Sequence, residues 1–146
     1  MTQRTVYQSM PRRLLVSLPP GASVHEAACV MTRANCGSVL VVGAGTQLLG
    51  IVTERDLMTR VVAKAVDPSK TTLASVMTPN PRCIGPNTKV EDAVLIMLER
   101  GFRHLPVVGE GNTLLGVFSA RDAMPREIGA AVSLAEFNEQ VNDSLG

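Results

Sequence analysis

The strongest constraint on the fold is an internal repeat with an offset of 66 residues. Between Pro20 and Met58, adding 66 to the residue number reaches an identical residue at 14 of 39 positions, without a gap. Only two copies are present, whereas a solenoid usually needs at least three stacked repeats. We therefore expect two similar units that close on each other as a pseudo-symmetric pair.

Each copy predicts the element order β-α-β-β-α. An extended stretch, at 15–18 or 82–84, precedes a helix with apolar residues at helical spacing. Two β-branched apolar runs joined by a glycine-containing turn then predict a hairpin. A second helix is expected to begin at Thr53 or Ser119, so the fold class is α/β (α+β). The apolar positions of the first helices are Val24, Ala27, Ala28 and Met31 in copy one and Val90, Ala93, Val94, Met97 and Leu98 in copy two.

The repeat also sets the expected boundaries. Residues 1–13 form a lead-in, 14–66 the first unit, 67–79 a linker, 80–128 the second unit and 129–146 a C-terminal tail. Apolar residues at 134, 137, 141 and 145 give the tail a weak helical period. A Ser-Met-Pro sequence at 9–11 precedes copy one much as the linker precedes copy two.

Composition narrows the function classes. Hydrophobic residues make up 45% of the chain and aromatic residues only 3%, which favours an aliphatic core. A net charge of +1 provides no electrostatic footprint for nucleic acid or an anionic membrane. No apolar run approaches the roughly 18 residues that would cross a bilayer. We expect neither nucleic-acid nor membrane partners.

The cysteines and histidines do not form a recognisable catalytic or metal-binding pattern. Cys29, Cys36 and Cys83 contain no C-x-x-C pair, and their odd number suits small buried residues in a reducing compartment. The glycine-rich stretch at 43–50 joins two apolar runs and is typical of a hairpin turn rather than a phosphate loop. The chain is therefore expected to be a cytoplasmic protein without enzymatic activity, cofactor requirement or metal.

Polar residues mark all four predicted helix starts. The stretches 23–26 and 88–91 fit capping boxes at the first helices. The stretches GIVTERD, at 50–56, and GVFSARD, at 116–122, place a hydroxyl residue three positions before an aspartate. That pattern also predicts a capping box, at the second helices.

The same hydroxyl and carboxylate suit a nucleotide. One carboxylate accepts both hydroxyl hydrogens of a ribose diol, and the capping hydroxyl bonds a ribose oxygen. The neighbouring Arg55 and Arg121 supply charge-assisted bonds to phosphate. Capping and ribose binding are compatible, so the motif alone does not decide between them.

The chain resembles a CBS-domain pair, or Bateman module, of a stand-alone bacterial type. The resemblance rests on the duplicated β-α-β-β-α order, SVMTPNP at 75–81, RHLPVV at 103–108 and the two hydroxyl-x-Arg-Asp stretches, and covers about residues 15–126. It implies two units packed about a pseudo-two-fold axis, with two clefts between them for adenosine-containing ligands. It also implies a homodimer and a regulatory role toward another protein.

The resemblance implies a role for several residues. In one copy, the basic pair Arg103-His104 stands where the other has Gly37-Ser38. The first copy's cleft therefore either binds phosphate poorly or takes Arg103 from the other unit. The expected ribose contacts are Thr53, Asp56, Ser119 and Asp122, the phosphate contacts Arg55, Arg103, His104 and Arg121, and the adenine slot Leu18, Leu40, Ile84 and Pro106.

These observations favour a regulatory sensor that signals in trans to an unidentified partner protein. AMP is the first expected ligand, followed by NAD(H), ADP or ATP, and S-adenosylmethionine. The alternative is a structural dimerisation or interaction module with vestigial clefts. A third hypothesis, a metal-dependent or single-turnover enzyme, requires roles for His104 or the cysteines that no motif supports.

Overall fold

A computed structural model describes residues 3–10 and 15–145, without the side chain of Leu145. The expected Ser-Met-Pro lead-in and the boundary at residue 13 therefore fall partly outside the described residues. The helices are α1 (Val6–Ser9), α2 (Val24–Ala34), α3 (Glu54–Asp56), α4 (Leu73–Val76), α5 (Val90–Arg100) and α6 (Pro125–Leu145). The strands are β1 (Ser17–Leu18), β2 (Ser38–Val42), β3 (Leu48–Thr53), β4 (Thr78–Pro79), β5 (His104–Val108) and β6 (Leu114–Ser119).

Both units contain the predicted hairpin. In unit one, β2 and β3 are antiparallel within a sheet of order β1-β2-β3-β4, and β1 lies parallel to β2. In unit two, β5 pairs with β6 in the same antiparallel register. The turns contain Gly45 and Gly111 at φ of +68° and +64°, a region that favours glycine. The same turn chemistry therefore recurs at the offset of the repeat.

The predicted extended stretches are shorter than expected. β1 covers only Ser17–Leu18, and in unit two the stretch 82–84 contributes one parallel bridge, between Ile84 and Val107. The bridge carries two backbone bonds, from Ile84 N to Pro106 O and from Val108 N to Ile84 O, each 2.9 Å long. Two backbone hydrogen bonds are therefore enough to attach this short stretch to the edge of the β5–β6 hairpin.

The lead-in segments cross between the units. α1, before unit one, packs into the core of unit two through Val6, whereas α4, before unit two, packs into the core of unit one through Leu73. The amide N–H of Val90 donates to the carbonyl of Arg4, and that of Val24 donates to Thr71. These equivalent bonds satisfy the first turns of α5 and α2, which otherwise lack intrahelical acceptors. The exchange holds the two units together as a pseudo-two-fold pair.

Two cores follow the predicted helix faces. The side chains of Val24, Ala27 and Met31 on α2 are buried, and Ala28 is partly buried. On α5 the buried residues are Val90, Ala93, Val94 and Met97. The prediction for Leu98 is wrong, because its side chain is 48% exposed. It lies at the edge of the α5 stripe rather than on the face that meets the hairpin.

Side-chain caps are present at three of the four predicted positions, and two of them are complete capping boxes. Ser23 accepts a bond from the N–H of Glu26, and Thr53 and Ser119 form complete capping boxes. The predicted box at Thr88 is absent: α5 begins after Lys89 without a side-chain cap. The Thr88 carbonyl instead accepts from the N–H of Val6 at 2.7 Å, because the crossing lead-in occupies this end of the helix.

The second helices of the two units differ. α3 continues without interruption into a π-helical segment, Leu57–Val62. After Ser119, by contrast, Ala120–Asp122 forms only a 3-10 turn, and α6 starts at Pro125, a residue suited to the first helical turn. α6 runs on to Leu145, so the proposed boundary between residues 128 and 129 falls inside one helix, and the linker at 67–79 contains α4 and β4.

Candidate functional site

Two clefts lie at the junction of the units, each next to one hydroxyl-aspartate pair. We call them the Asp56 cleft, of about 310 Å³, and the Asp122 cleft, of about 280 Å³. The Asp56 cleft is lined by Ile51, Thr53, Glu54, Arg55, Asp56, Thr78, Asn80, Pro81, Arg82, Gly101, Phe102, Arg103 and His104. The Asp122 cleft is lined by Met10, Leu15, Val16, Asn35, Cys36, Gly37, Ser38, His104, Leu115, Gly116, Val117, Ser119, Arg121 and Asp122.

The carboxylate of Asp56 is tightly engaged by its own helix start. Its Oδ2 accepts from the Thr53 amide at 2.9 Å and from the Thr53 hydroxyl at 3.1 Å. Its Oδ1 lies 3.7 Å from Nε of Arg60, one helical turn along the chain. The side chain of Asp56 is 12% exposed. A ligand in this cleft therefore meets a carboxylate that is already well satisfied.

The carboxylate of Asp122 is freer. Its Oδ2 accepts from the Ser119 amide at 2.9 Å, and the Ser119 hydroxyl accepts from the Arg121 amide at 3.3 Å. Among the described residues, no further partner contacts Oδ1 of Asp122. The backbone around this carboxylate is held from outside, since Arg4 Nη2 donates to the Asp122 carbonyl at 3.1 Å. As far as residues 3–10 and 15–145 are concerned, Oδ1 of Asp122 is therefore available to accept a hydroxyl hydrogen from a ligand.

Cations are distributed unequally between the clefts. Arg55, Arg82 and Arg103 line the Asp56 cleft, whereas Arg121 lines the Asp122 cleft. Arg103 belongs to unit two, so unit one's aspartate faces the basic pair of the other unit. The first copy has Gly37 and Ser38 where the second has its basic pair, and one of the two expected consequences was that the cleft of unit one takes Arg103 from unit two. The structure has this arrangement. Counting only residues 3–10 and 15–145, three arginines line the Asp56 cleft and one lines the Asp122 cleft.

His104 lines both clefts. It starts β5 opposite Ser119, its pairing partner on β6, and reaches toward Gly37 of unit one. Burial lowers the pKa of His104; the carboxylates of Glu54 and Asp122 oppose this effect, and Arg103 and Arg121 reinforce it. The imidazole is thus neutral near pH 7 and offers one N–H donor.

The residues expected to form the adenine slot do not line either cleft. Leu40 and Pro106 are fully buried within β2 and β5. Ile84 is 7% exposed in the core of unit two, and Leu18 packs against the core of unit one. The reason is that β2 buries Val39, Leu40 and Val41 in succession, so both faces of the sheet are covered. Alternation along a single strand does not reveal this.

Other apolar residues line the clefts where adenine was expected. Leu15 and Val16 border the Asp122 cleft, and Ile51 and Phe102 border the Asp56 cleft. These residues and Arg82 were missed by sequence reasoning. Their place in the sequence could have indicated them, because Val16 and Arg82 lie two residues before Leu18 and Ile84 on the same extended stretches.

The described part of the chain provides little for metal chemistry. Residues 3–10 and 15–145 contain no group of three or more histidine, cysteine or acidic side chains placed to hold a metal ion. Cys29, Cys36 and Cys83 are free and partly buried. In the same residues, no helix combines the length and the apolar character that spanning a membrane requires.

Comparison with known sequences agrees with this architecture. The family model for the CBS domain matches residues 8–63 and 73–126. The meiotically up-regulated gene 70 protein of Schizosaccharomyces pombe is 41% identical over 101 residues, which are 65% of this chain and 14% of that protein. An uncharacterised 17.7 kDa protein of Acidianus ambivalens is 35% identical over 103 residues, 70% of this chain and 61% of that protein. The chain thus spans less than two thirds of either relative.

Solved structures share the fold. PAE2072 of Pyrobaculum aerophilum, a CBS domain protein complexed with AMP, superposes with a TM-score of 0.77 at 25% identity, covering 90% of this chain and 100% of that one. CBSX2 in complex with AMP superposes with a TM-score of 0.66 at 27% identity, covering 89% of this chain and 97% of that one. A hexameric CBS-CP12 protein from bloom-forming cyanobacteria superposes with a TM-score of 0.76 at 26% identity, covering 84% of this chain and 67% of that one. With two family matches on two repeated units and two clefts between them, the chain belongs to the CBS-domain family.

Proposed function

We propose that this CBS-domain pair binds an adenine nucleotide, AMP first, in the clefts between its units and acts as a regulatory sensor. The main support for this proposal is that each hydroxyl-aspartate pair lines its own cleft and has at least one arginine beside it. PAE2072 and CBSX2, which share the fold, are both described as complexed with AMP. We propose no enzymatic activity.

The chemistry of each cleft suggests how the nucleotide is held. Asp122 and Ser119, or Asp56 and Thr53, receive the ribose hydroxyls. The phosphate lies against Arg121 and His104 in one cleft, and against Arg55, Arg82, Arg103 and His104 in the other. Adenine packs against Leu15 and Val16, or against Ile51 and Phe102, because an adenine site needs apolar walls with few polar edges. ADP, ATP, NAD(H) and S-adenosylmethionine offer the same adenosine group and are the next ligands.

The crossed lead-ins suggest how binding becomes a signal. Both clefts are bounded by residues of both units, so a ligand that prefers one relative position of the units shifts that equilibrium. Such a shift moves α1 and α4, each of which packs on the opposite unit. We propose that a partner protein reads this change in trans. We also propose a cytoplasmic location, which the free cysteines support.

A homodimer is the proposed assembly. α5 and α6 pack together, and both helices carry large exposed apolar side chains. Large exposed apolar side chains are candidate contacts for a partner. The hexameric CBS-CP12 protein supports oligomerisation through the shared fold. The exposed apolar residues are Leu98 on α5 and Ile128, Val132, Leu134, Phe137 and Val141 on α6.

The test is a thermal-shift panel with AMP, ADP, ATP, S-adenosylmethionine, NAD and NADH. A ligand that binds only the folded protein raises Tm by mass action, by an amount that grows with concentration above Kd. We compare wild type with Asp56→Ala and Asp122→Ala, each against its own ligand-free Tm, and with Asp143→Ala on the exposed face of α6 as the matched control. A shift by AMP that Asp122→Ala or Asp56→Ala reduces, and Asp143→Ala retains, supports the proposal.

The second candidate is an interaction module with vestigial clefts. It is favoured by the capping boxes at Thr53 and Ser119, which are complete without a ligand. On this hypothesis, no adenosine compound shifts Tm at millimolar concentration, and both aspartate variants lose only stability. That result would overturn the sensor proposal.

A further inference from the structure

The two clefts meet at one side chain. Among the residues that line them in the described part of the chain, His104 alone is common to both. Its counterpart in the repeat is Ser38, which lines the Asp122 cleft and is 5% exposed. The pseudo-two-fold pair therefore has two ligand clefts but a single imidazole at their junction.

Gly37 makes this shared position possible. A Cβ atom at Gly37 would lie 3.0 Å from His104 Nε2 and 2.9 Å from Glu54 Oε1. Both distances are shorter than ordinary van der Waals contact, so a side chain at this position would displace the imidazole or the carboxylate. In the repeat, the counterpart of Gly37 is Arg103, which occupies the equivalent position in unit two. The absence of a side chain in one unit thus leaves room for the histidine of the other.

The surroundings of His104 favour one hydrogen bond at a time. The charged groups that face it are Glu54 and Arg103 on the Asp56 side and Arg121 and Asp122 on the other side. A neutral imidazole has one N–H donor and one acceptor nitrogen. It can donate to an anionic oxygen in one cleft, but the acceptor nitrogen then repels a second anionic oxygen in the other.

We propose that His104 couples the two clefts negatively, so that a phosphorylated ligand bound in one cleft lowers the affinity of the other. The inference rests on the proposed nucleotide binding and adds its regulation. A second effect has the same sign: two phosphates at the junction repel each other, and partial burial weakens solvent screening of that repulsion. Within the described part of the chain, three arginines line the Asp56 cleft and one lines the Asp122 cleft, so we expect the Asp56 cleft to fill first.

The experiment follows each cleft separately. Met10 lines the Asp122 cleft and Ile51 lines the Asp56 cleft, so methyl-labelled methionine and isoleucine provide one NMR signal for each. AMP is titrated into the full chain. In wild type, the Ile51 signal reaches its midpoint at a lower AMP concentration than the Met10 signal.

Arg103→Ala separates coupling from simple charge effects. Arg103 is exposed, so its removal does not disturb the core, and it lines only the Asp56 cleft. Loss of the Arg103 side chain raises the AMP concentration at which the Ile51 signal reaches its midpoint. Through coupling, the Met10 midpoint falls, by about fivefold, the lower end of typical coupling energies. Loss of a positive charge would by itself raise the Met10 midpoint, so the direction of the change is diagnostic.

Variants at His104 complete the cycle. In a His104→Ala background, Arg103→Ala no longer lowers the Met10 midpoint, whereas His104→Gln, which retains an N–H donor, keeps part of the effect. Arg100→Ala, an exposed arginine in the last turn of α5, is the matched control and leaves both midpoints unchanged. The ligand-free methyl spectrum shows that each variant is folded.

The outcomes distinguish this inference from the proposed function. If both methyl groups respond to AMP but the Met10 midpoint stays or rises in Arg103→Ala, nucleotide binding stands and the coupling is overturned. If the Met10 midpoint falls equally with and without His104, His104 is not the coupling residue and the inference is wrong. If neither methyl group responds to millimolar AMP, the proposed function fails and the coupling fails with it.

Discussion

Arg4 and Glu127, 123 positions apart in the chain, form a two-point ion pair. Nη2 of Arg4 lies 2.7 Å from Oε1 of Glu127, and Nε lies 3.1 Å from Oε2. The same Nη2 donates to the carbonyl of Asp122. The pair ties the lead-in of unit one to the start of α6 and to the wall of the Asp122 cleft. Through its hydrogen bond, Arg4 lowers the pKa of Glu127.

Replacing Arg4 by methionine is expected to destabilise the protein. The Glu127 side chain is 6% exposed and would lose its cationic partner. We expect the free energy of unfolding to fall by about 2 kcal/mol, the middle of the range for hydrogen bonds to charged groups. Urea denaturation at neutral pH measures the loss. Arg33→Met on the exposed side of α2 is the control, and an equal loss there would contradict a specific role for the pair.

The contribution of this ion pair depends on pH. The pKa of Glu127 is lower in the folded protein than in the unfolded chain, where it is about 4.3. The contribution is therefore complete above that value and is lost as the pH falls through the folded pKa. The difference in stability between wild type and Arg4→Met should narrow in acid. A difference that stays constant down to about pH 3 would contradict this assignment.

The two site aspartates should differ in their structural cost. Asp56 receives the Thr53 amide and hydroxyl and faces Arg60, whereas Asp122 receives one amide. We expect Asp56→Ala to cost about 2 kcal/mol of unfolding free energy and Asp122→Ala about 1 kcal/mol or less, within the range for helix caps. Denaturant titration without ligand makes the comparison. An equal loss of unfolding free energy in the two variants would contradict the conclusion that Asp56 is held by more hydrogen bonds than Asp122.

His104 is expected to make the fold less stable below neutral pH. Burial lowers its pKa below the unfolded value of about 6.5, so the unfolded chain takes up a proton first. Stability then falls as the pH drops through that value and goes on falling until His104 is protonated in the fold. His104→Gln should reduce the difference in stability between pH 7.5 and about 5.5.

The exposed His25 provides the control for that experiment. His25→Gln removes the other histidine, at the start of α2, and retains the charged neighbours of His104, namely Glu54, Arg103, Arg121 and Asp122. Urea midpoints at the two pH values are compared for the three proteins. If His104→Gln and wild type have the same pH dependence, burial of this imidazole has no measurable effect on folding.

Gly50 should not tolerate a side chain. A Cβ atom there would lie 2.6 Å from the sulfur of Met77 and 2.8 Å from the carbonyl of Thr78, where β3 pairs with β4. We expect Gly50→Ala to cost about 1–3 kcal/mol, as overpacking does. Gly21→Ala, with nothing within 4 Å of the added carbon, is the control and should change stability by less than about 0.5 kcal/mol. Equal Tm values for the two variants would contradict the close approach of β4.

The proposed homodimer predicts a change in mass. Phe137 is 60% exposed on the outer side of α6. Phe137→Glu places a charge in the apolar surface and should convert a dimer to a monomer in light scattering, because an unpaired buried charge is costly. Glu139→Lys, on the same helix, is the charge-changing control. A wild-type mass equal to one chain would contradict the dimer directly.

Features that depend on neighbours a few residues apart could be predicted from the sequence. The turns at Gly45 and Gly111, the buried faces of α2 and α5 and the capping boxes at Thr53 and Ser119 all follow from local spacing and turn chemistry. The repeat added the pairing of two similar units, because duplicated apolar faces need each other for burial. The resemblance to a CBS-domain pair implied the two clefts between the units.

The contacts between segments of different units could not be predicted from the sequence and are seen only in the folded protein. No local pattern places Arg4 on Glu127, exchanges α1 and α4 between the cores, or brings His104 to Gly37. For the same reason Leu40 and Pro106 were expected in a cleft but lie in the core, covered by elements distant in sequence. Contacts between distant segments depend on how whole units pack, and residue spacing along one segment does not contain that information.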